Sequence, residues 1–564
     1  MATVIGDNII SPLGFTTNEN YQAVRLGKTA LRRLDTEESI PFPFTASLFS
    51  KDQTNSLRTE GLTKFESLAY QSIVEAIKDI PEVVSNNTVL ILSSTKGNVA
   101  LLKKSGNSDN VTDLGKAAKK ISEKLGLTRS PIVVSNACIS GVAAIILASR
   151  LVDLDKVEYA IVCGVDEQSP FIISGFESLK ALSETECRPF DIERLGLNLG
   201  EASATIVLSK CREKLGWHIN NGVIRNDGFH ITSPSPKGEG AFQTLTSILT
   251  GIPSEDLALI NAHGTATMYN DQMESKAINR AGLSDVPANA LKGFYGHTMG
   301  AAGVLETILT MHAIDEGVVL PTRNFEELGV SGKINLSANE RYTNKKRFVK
   351  MISGFGGCNA SILCSQGEDE EASLKNKEYT ISHQVVLTPD SLSVDGKFVK
   401  ISETGSRLLT HLYKEHVGDY PKFYKMDDLS KLGFIATEIL LKAENSSVSE
   451  NTISRSVAFF NRNASINTDL AYLETIKDKD NFFPSPSLFV YTLPNIVTGE
   501  IALRHHYFGE TNFFILPEKD FNQIYDIIEC MFCDKQTASI IGGWVEFNSS
   551  DNFEANIFIA NKTK

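Results

Sequence analysis

The stretch SPIVVSNACISG, residues 130–141, decides how this chain folds and where its chemistry lies. Residues 131–134 form a short apolar run rich in β-branched residues, which predicts a buried strand. Residues 142–152 are small or apolar and predict a buried helix, with Ser140 and Gly141 as turn residues between the two. Cys138 therefore lies at a strand-to-helix corner, where the helix dipole and free backbone N–H groups favour a thiolate. A cysteine in such a run is more often a core residue than a nucleophile, so its role depends on the rest of the chain.

Composition restricts the classes of protein that the chain can belong to. It has 564 residues, of which 42% are hydrophobic and 22% are charged, and its formal net charge is -13. These values are ordinary for a globular protein with several domains, and the negative charge argues against a nucleic-acid binder. Eight cysteines in so long a chain predict a reducing, cytoplasmic environment rather than a disulfide framework. The first residues lack the pattern of a secretory signal, and no apolar run approaches the roughly 18 residues of a membrane span.

Apolar runs alternate with helical patterns through the first two thirds of the chain. Residues 89–92, 159–164, 204–208 and 257–262 read as buried strands, whereas residues 65–80 and 114–125 have helical apolar spacing. This alternation predicts an α/β architecture whose mostly parallel sheet is covered on both faces.

Two histidines follow in small-residue motifs near the ends of predicted elements. His263 begins HGTAT, residues 263–267, directly after a predicted strand, and His297 lies in GHTMGAAG, residues 296–303. The carboxyl ends of strands in such a sheet face the ligand crevice. Either histidine alone could equally be a core residue, so the functional reading depends on the motifs taken together.

Taken together, the motifs resemble those of the β-ketoacyl synthases of the thiolase-fold superfamily, of the elongating type with one cysteine and two histidines. The resemblance extends over about residues 2–365 and includes VIG (4–6), SPLG (11–14), ACISG (137–141), RPFD (188–191), the two histidine motifs and GFGG (354–357). It implies a thiolase-like α/β fold with two similar βαβαβ halves in α-β-α-β-α layers. Cys138 would come from the first half and both histidines from the second.

The resemblance also implies a role for each motif residue. Cys138 would carry the acyl chain, and His263 and His297 would stabilise the enolate that malonyl thioester leaves when it loses carbon dioxide. The backbone N–H groups of Cys138 and Phe355 would form the oxyanion hole, with Phe355 as the gate of the acyl pocket. The other implied residues are Thr265 and Thr267 for the phosphopantetheine arm, Lys292 with its acidic partner Glu306 beside the second histidine, and Asp271, Glu274 and Asn359 as supporting residues. No metal is implied.

Two related subclasses differ from this pattern. An initiating synthase would have an asparagine in place of His297. A degradative thiolase would need a second cysteine late in the chain, and Cys358 is the residue to examine. Because the family usually has a small polar residue there, we predict a structural role for Cys358.

The last third of the chain predicts a second domain. The acidic run QGEDEEAS begins a linker over 366–378, which separates a synthase domain, 1–365, from a domain over 379–564. The segment SIIGGWVE, 539–546, resembles AIVCGVDE, 160–167, at an offset of 543 − 164 = 379, which places Pro517 opposite Cys138. Residues 457–460 similarly resemble 89–92.

We therefore interpret 379–564 as a half-length synthase copy that lacks the nucleophile, similar to the N-terminal part of chain-length-factor partners. The Pro494-Asn495 segment would lie at an interface and shape the acyl tunnel. The alternative is an unrelated α/β domain. Cys530 and Cys533 form a lone C-x-x-C, for which packing is the favoured reading.

The favoured function is decarboxylative Claisen condensation of malonyl-carrier with a Cys138-bound acyl chain, as in fatty acid, polyketide or aryl polyene synthesis. A non-catalytic chain-length or scaffold subunit and a thiolase-like acyltransferase on coenzyme A thioesters stay open as alternatives. The implied partner is an acyl carrier protein whose phosphopantetheine carries the substrates, with no permanently bound cofactor. The expected assembly is a homodimer or a ketosynthase/chain-length-factor-like complex. Primer, product length and pathway are not readable from the sequence.

Overall fold

A computed structural model describes residues 1–36, 40–102, 111–210, 216–367, 378–444 and 452–563. Most of the predicted linker, residues 368–377, lies outside these ranges. The strands in chain order are Ala2–Ile10 (β1), Arg32–Leu34 (β2), Phe44–Ser47 (β3), Thr88–Ser93 (β4), Ile132–Val134 (β5), Tyr159–Asp166 (β6), Leu199–Gly200 (β7), Ala202–Ser209 (β8), Trp217–Asn226 (β9), Leu259–Asn261 (β10), Ala288–Asn289 (β11), Val318–Val319 (β12), Arg341–Tyr342 (β13), Arg347–Gly354 (β14), Cys358–Gln366 (β15), Tyr379–Thr388 (β16), Ser391–Val394 (β17), Lys397–Val399 (β18), Arg455–Asn461 (β19), Thr511–Ile515 (β20), Ser539–Ser549 (β21) and Asn552–Lys562 (β22).

The helices lie between these strands. They are Thr17–Arg25 (α1), Lys51–Ser56 (α2), Lys64–Ala76 (α3), Leu114–Lys124 (α4), Ser140–Asp153 (α5), Pro170–Ser178 (α6), Glu239–Ile248 (α7), Met268–Arg280 (α8), Lys292–Tyr295 (α9), Ala302–Asp315 (α10), Gly405–His416 (α11), Asp428–Glu444 (α12), Ile466–Leu473 (α13), Pro486–Tyr491 (α14), Ile496–His505 (α15) and Phe521–Met531 (α16).

Three five-stranded sheets share one topology. Their strand orders are β5-β4-β6-β8-β1, β11-β10-β14-β15-β9 and β20-β19-β21-β22-β16. In each sheet the first three strands are parallel and the last two pair antiparallel. The first two sheets meet where β1 pairs with β9, and they form the two similar halves that the sequence predicted.

The first region of the chain, residues 1–365, has a middle layer that consists of α5 and α10. Both helices pack against strands of the first and the second sheet, whereas α3 covers the outer face of the first and α7 that of the second. The residues of α5 are small or apolar on all sides, which suits a helix with no exposed face. Glycines allow the two helices to meet closely: a Cβ on Gly141 would lie 2.9 Å from the Gly300 oxygen, and one on Gly303 would lie 2.6 Å from the Val142 nitrogen.

The third sheet continues the first one. Strand β20 pairs antiparallel with β5, with Phe514 opposite Val134 and Ile515 opposite Val133. The local two-fold axis of this antiparallel pair relates Val134 to Ile515, an offset of 515 − 134 = 381. The position equivalent to Cys138 is then 138 + 381 = 519, a lysine that lies two residues beyond the Pro517 expected from the ungapped offset.

This pairing bears on the expected homodimer. That expectation depended on pairing the cysteine-side strand, β5, with the same strand of a second copy. In the structure β20 of the same chain already occupies this edge, so a symmetric dimer through β5 is not available. A strand edge can pair only once, because its N–H and C=O groups are then used.

Buried ion pairs fasten the third sheet to the rest of the chain. Three cations of the first region each contact a carboxylate of the last region, residues 379–564. The pairs are Lys96 with Asp469, Arg150 with Glu510, and Arg225 with Asp534. All six residues are buried. Removing one partner from such a pair leaves an uncompensated charge in the interior, so each pair binds the two regions to one another.

We expect Arg150→Met to lower the free energy of unfolding by about 3–5 kcal/mol, because Glu510 would remain buried without its cation. Urea unfolding followed by circular dichroism measures this change. The double variant Arg150→Met/Glu510→Leu should recover most of the loss. An equal loss in both variants would contradict the assignment of the cost to the unpaired carboxylate.

Candidate active site

One cavity of about 350 Å³ reaches Cys138. Seven of the predicted site residues line it, and they come from both halves of the first region: Cys138, His263, Thr265, Thr267, His297, Phe355 and Asn359. The other four, Asp271, Glu274, Lys292 and Glu306, lie behind this lining as buried residues. The fold therefore brings together residues that are more than 200 positions apart in the chain.

Cys138 lies in a 3-10 turn, Ala137–Ile139, between β5 and α5. The residue before it, Ala137, has a φ of 48°, a left-handed conformation that is strained for a residue with a Cβ. The sulfur is almost enclosed, and this burial raises the pKa of Cys138 to about 12. The charge of Lys292 and the backbone N–H groups of Cys138 and Phe355 act in the opposite direction.

The helix end and the free N–H groups favour the expected thiolate, and burial of the sulfur opposes it. Burial outweighs the helix end and the N–H groups, so the thiol keeps its proton at neutral pH. The two N–H groups nevertheless point at the sulfur, where they can stabilise negative charge that forms during a reaction.

The two imidazoles lie beside this sulfur. One side-chain atom from each of Cys138, His263 and His297 lies within 4.8 Å of the others, and the two rings meet edge to face with centroids 5.0 Å apart. Burial, together with the charges of Lys292 and Lys350, holds the pKa of both histidines well below the usual range. Both rings are consequently neutral at pH 7.

The tautomer of His297 follows from its contacts. Its Nδ1 accepts a hydrogen bond of 3.3 Å from the Met299 backbone N–H, so a neutral ring carries its proton on Nε2. That Nε2 is buried, and no partner for it occurs in the described part of the chain. It is a donor available to a group bound in the cavity.

A buried network of two lysines and one glutamate lies behind the histidines. Lys292 Nζ donates to Glu306 Oε1 at 2.7 Å, and Lys350 Nζ donates to the other carboxylate oxygen. Lys350 also donates to the Ala262 oxygen at 3.3 Å, directly before His263. The two cations lower the pKa of Glu306, so this carboxylate is ionised, and the network places a net positive charge next to the cavity.

Further acidic residues hold the histidine motifs in place. Glu274 accepts hydrogen bonds from the backbone N–H groups of His263, at 2.7 Å, and Gly264, at 2.8 Å. Asp271 accepts from the Ala266 N–H at 3.2 Å. Burial raises the pKa of Glu274 to about 7 and that of Asp271 to about 6. These two carboxylates position the backbone and do not line the cavity.

Two threonines in the motif that begins at His263 line the cavity. The Oγ1 atoms of Thr265 and Thr267 lie 2.9 Å apart, so one hydroxyl is donor and the other acceptor, and each keeps capacity for a bound polar group. Asn359 Nδ2 donates to Asp227 Oδ1 at 3.2 Å, and its Oδ1 accepts from the Ser353 hydroxyl at 2.7 Å. Asn359 therefore fixes the loop that carries Phe355.

The last third of the chain forms part of the wall. A second, much smaller void of about 10 Å³ lies on the far side of Cys138, and Phe489 and Leu493 line it. Asn495 Nδ2 donates to the Phe355 oxygen at 2.8 Å. The fit is tight, since a Cβ on Gly356 would lie 2.6 Å from the same Asn495 atom. Cys358 lines the main cavity next to this contact and donates to the Phe355 oxygen at 3.2 Å, and its structural role stays a prediction.

Three residues of this site were not predicted from the sequence. Lys350 is the one charged residue among the buried positions of β14, which is a readable signal, because a charged residue in such a strand needs a partner. Asp166 accepts from the Gly300 N–H at 2.7 Å and so connects β6 to the turn after His297. Phe489 has no local signal, because only the third sheet brings it near the cavity.

Comparison with known proteins agrees with this geometry. Residues 91–214 match the family model "Beta-ketoacyl synthase, N-terminal domain", and residues 218–326 match "Beta-ketoacyl synthase, C-terminal domain". These adjacent matches identify residues 91–326 as those of a β-ketoacyl synthase. The predicted fold class and the predicted activity of a chain-extending β-ketoacyl synthase are thereby confirmed.

Individual relatives of this β-ketoacyl synthase cover different parts of it. The putative mitochondrial 3-oxoacyl-[acyl-carrier-protein] synthase of Schizosaccharomyces pombe is 28% identical over 64% of this chain and 97% of its own length. The 3-oxoacyl-[acyl-carrier-protein] synthase 2 of Mycobacterium leprae is 34% identical over 40% of this chain and 58% of its own. The solved structure "PfaC Keto synthase-Chain length factor" covers all of this chain and 78% of that one, with a TM-score of 0.79. At 14% identity, this last similarity concerns the fold alone.

The helices of the described ranges give no sign of a membrane span in this synthase, since none combines the necessary length with the necessary apolar character.

We expect alkylation of Cys138 by iodoacetamide to be slow at pH 7 and to accelerate about tenfold per pH unit up to pH 10, because the thiolate fraction grows in that proportion below a pKa of about 12. Peptide mass spectrometry at each pH measures the rate. A rate that reaches its plateau below pH 8 would show that the thiolate is already stabilised in the free protein.

Proposed function

We propose that this β-ketoacyl synthase condenses a malonyl unit, carried on the phosphopantetheine of an acyl carrier protein, with an acyl chain held on Cys138. The observation that supports these residue roles is the convergence of the Cys138 sulfur with one nitrogen each of His263 and His297 within 4.8 Å at one cavity. The two relatives named above are described as 3-oxoacyl-[acyl-carrier-protein] synthases, which favours a carrier-bound substrate.

In the first half-reaction, the Cys138 sulfur attacks the thioester carbonyl carbon of the acyl-carrier. The carbonyl oxygen becomes negative and accepts hydrogen bonds from the N–H groups of Cys138 and Phe355. The C–S bond to the carrier then breaks. Cys138 loses its thiol proton and the departing carrier sulfur takes one up, so no net proton is released. The products are an acyl-enzyme thioester and a free carrier thiol.

In the second half-reaction, malonyl-carrier loses carbon dioxide, and the electron pair of the broken C–C bond passes into an enolate. Neutral imidazoles of His263 and His297 donate N–H groups to the enolate oxygen, and the nearby ammonium of Lys292 favours the negative charge. The enolate carbon attacks the acyl carbonyl on Cys138. Collapse of that intermediate breaks the C–S bond to Cys138 and leaves the β-ketoacyl chain on the carrier, and the cysteine sulfur takes up one proton from solvent.

The supporting residues have roles that follow from their contacts. Glu306 holds Lys292 and, through Lys350, the backbone before His263. We assign the hydroxyls of Thr265 and Thr267 to the phosphopantetheine arm, because they line the cavity that leads to the sulfur. Phe355 forms the gate, and Asn495 holds its backbone oxygen.

We further propose that residues 379–564 are an internal partner domain, derived from half a synthase without its nucleophile. Its sheet has the strand order of the two halves of the first region, its β20 pairs with β5, and a lysine stands at the position equivalent to Cys138. It takes the place of a chain-length-factor subunit and completes the wall of the acyl pocket. We place the enzyme in the cytoplasm, which the free state of all cysteines in the described ranges favours.

We expect intact-protein mass spectrometry to detect one acyl group on the wild-type protein after incubation with butanoyl-carrier, and none on Cys138→Ala. His263→Ala and His297→Ala should still be acylated but lose about 10²–10³-fold in condensation rate with malonyl-carrier, because a donor to the enolate is missing. Loss of acylation in both histidine variants would contradict their assignment to the second half-reaction. Equal loading from butanoyl-coenzyme A and butanoyl-carrier would favour the alternative of a coenzyme A-dependent acyltransferase.

We expect Asn495→Ala to lower the acylation rate of Cys138 about tenfold, because Phe355 loses the contact that holds its backbone oxygen, and the N–H of the same residue points at the sulfur. The rate is measured by quenched-flow mass spectrometry. Asn463→Ala is the matched control, because both side-chain bonds of Asn463, to Asn548 at 2.6 Å and from Arg462 Nε at 3.4 Å, lie within the same region. The proposed role fails if both variants load the acyl group at the wild-type rate.

A further inference from the structure

The small void beside Cys138 has one charged residue in its wall. Its lining consists of Lys96, Ala137, Cys138, Ile172, Phe176, Met299, Phe355, Phe489 and Leu493. Apart from Lys96 and the cysteine, this set is apolar, as expected for a pocket that receives an acyl chain. A buried lysine in such a wall is unusual, because an ammonium group is among the groups that are most costly to remove from water.

Lys96 is fixed by contacts with the last third of the chain. Its Nζ donates to Asp469 Oδ1 at 2.6 Å and to the backbone oxygen of Thr492, and it lies 5.6 Å from the ring centroid of Phe171. Lys96 and Asp469 are 6% and 8% exposed. Burial shifts the pKa of Lys96 downward and that of Asp469 upward, and their mutual contact opposes both shifts. The pair is therefore a rigid polar feature that spans the two regions.

The void leaves little space between this pair and the cysteine. Its volume of about 10 Å³ is close to the minimum that holds one water-sized group. A long chain on Cys138 must therefore displace part of the wall. Pushing Lys96 aside would break its bonds to Asp469 and Thr492 and leave a buried charge unpaired, because a methylene chain supplies no acceptor.

The last third of the chain also supplies apolar residues to the wall of the small void. The ring of Phe489 lies in the notch above Gly175, where a Cβ would lie 2.1 Å from the ring atoms. Phe489 also contacts Phe176, with ring centroids 5.5 Å apart. An aromatic ring can rotate or shift within a pocket without breaking a polar contact, whereas the Lys96–Asp469 pair cannot.

We propose that the Lys96–Asp469 pair determines the acyl specificity of this site: it ends the acyl pocket, admits short acyl groups on Cys138 and excludes long saturated chains. This inference rests on the proposed function, because it requires that Cys138 carries the acyl group. It assigns the internal partner domain a direct part in choosing the chain that is extended.

The test compares the loading of Cys138 from butanoyl-carrier and octanoyl-carrier in four variants and the wild type. Lys96→Met/Asp469→Leu removes both charges and keeps similar side-chain volumes. We expect the ratio of octanoyl to butanoyl loading rates to rise at least about tenfold, the scale on which methylene groups are discriminated in an apolar pocket. Phe489→Ala should also raise the ratio and shows that the assay detects enlargement of the pocket.

The matched control is Arg225→Met/Asp534→Leu. It removes another buried pair between the same two regions, and neither residue lines the two voids. Its ratio should stay within about twofold of the wild type, as expected for an independent site. Because Lys96→Met/Asp469→Leu could fold poorly, Lys96→Gln/Asp469→Asn is a second variant that keeps a hydrogen bond without charge and should give a smaller rise.

An unchanged loading ratio in a folded variant without the Lys96–Asp469 charges, alongside a raised ratio in Phe489→Ala, would overturn this inference. Its failure differs from a failure of the proposed function. If the wild type carried no butanoyl group on Cys138 at all, the condensation mechanism itself would be contradicted.

Discussion

The structure depends on one strand pairing, that of β5 with β20. Strand β5 leads directly to Cys138, so any partner that fixes the strand also fixes the corner at which the sulfur lies. The pairing extends beyond the strands, because the Ser135 N–H donates to the Phe513 oxygen at 3.1 Å and Asn136 Nδ2 donates to the Thr511 oxygen at 2.8 Å. A β-strand edge of the last region therefore supports the backbone that positions the nucleophile.

The site combines burial with fixed charge. Burial keeps the thiol protonated and both imidazoles neutral, which would make a weak nucleophile but provides good hydrogen-bond donors. The ammonium groups of Lys292 and Lys350, held by Glu306, place positive charge where an enolate would form. The environment is therefore suited less to the resting state than to the negative charge that appears during reaction, as expected for catalysis by electrostatic preorganisation.

Much of the fold and most of the site could be predicted, because the signals are local. The β-branched run before Cys138 and the small residues after it define a strand and a helix, and each histidine has its own motif. The thiol pKa could not be predicted, since a strand-to-helix corner indicates the helix dipole but not the degree of burial. The sequence predicted a homodimer or a ketosynthase/chain-length-factor-like complex and did not identify β20 as the partner of β5, because an edge strand does not specify which strand pairs with it.

Two of the residues that sequence reasoning missed share one cause. Phe489 reaches the pocket wall and Asp469 reaches Lys96 only because the third sheet continues the first, and that continuation depends on contacts between residues separated by about 380 positions. The segment around Pro494 and Asn495 was expected at an interface, but its contact with the Phe355 oxygen is a tertiary contact that the local sequence does not indicate. Lys350 is different, since a lone charge within an apolar strand could have been recognised.

The pairing of β5 with β20 in the same chain is tested most directly by a cross-link between paired residues. Val133 and Ile515 are directly opposite each other, so Val133→Cys/Ile515→Cys places two cysteines at a spacing that a disulfide can span. After mild oxidation, a non-reducing denaturing gel should show the cross-linked protein at the mass of a single chain, 61.7 kDa. A cross-linked product at the mass of two chains would show that β5 pairs with another copy, and would contradict the internal partner domain.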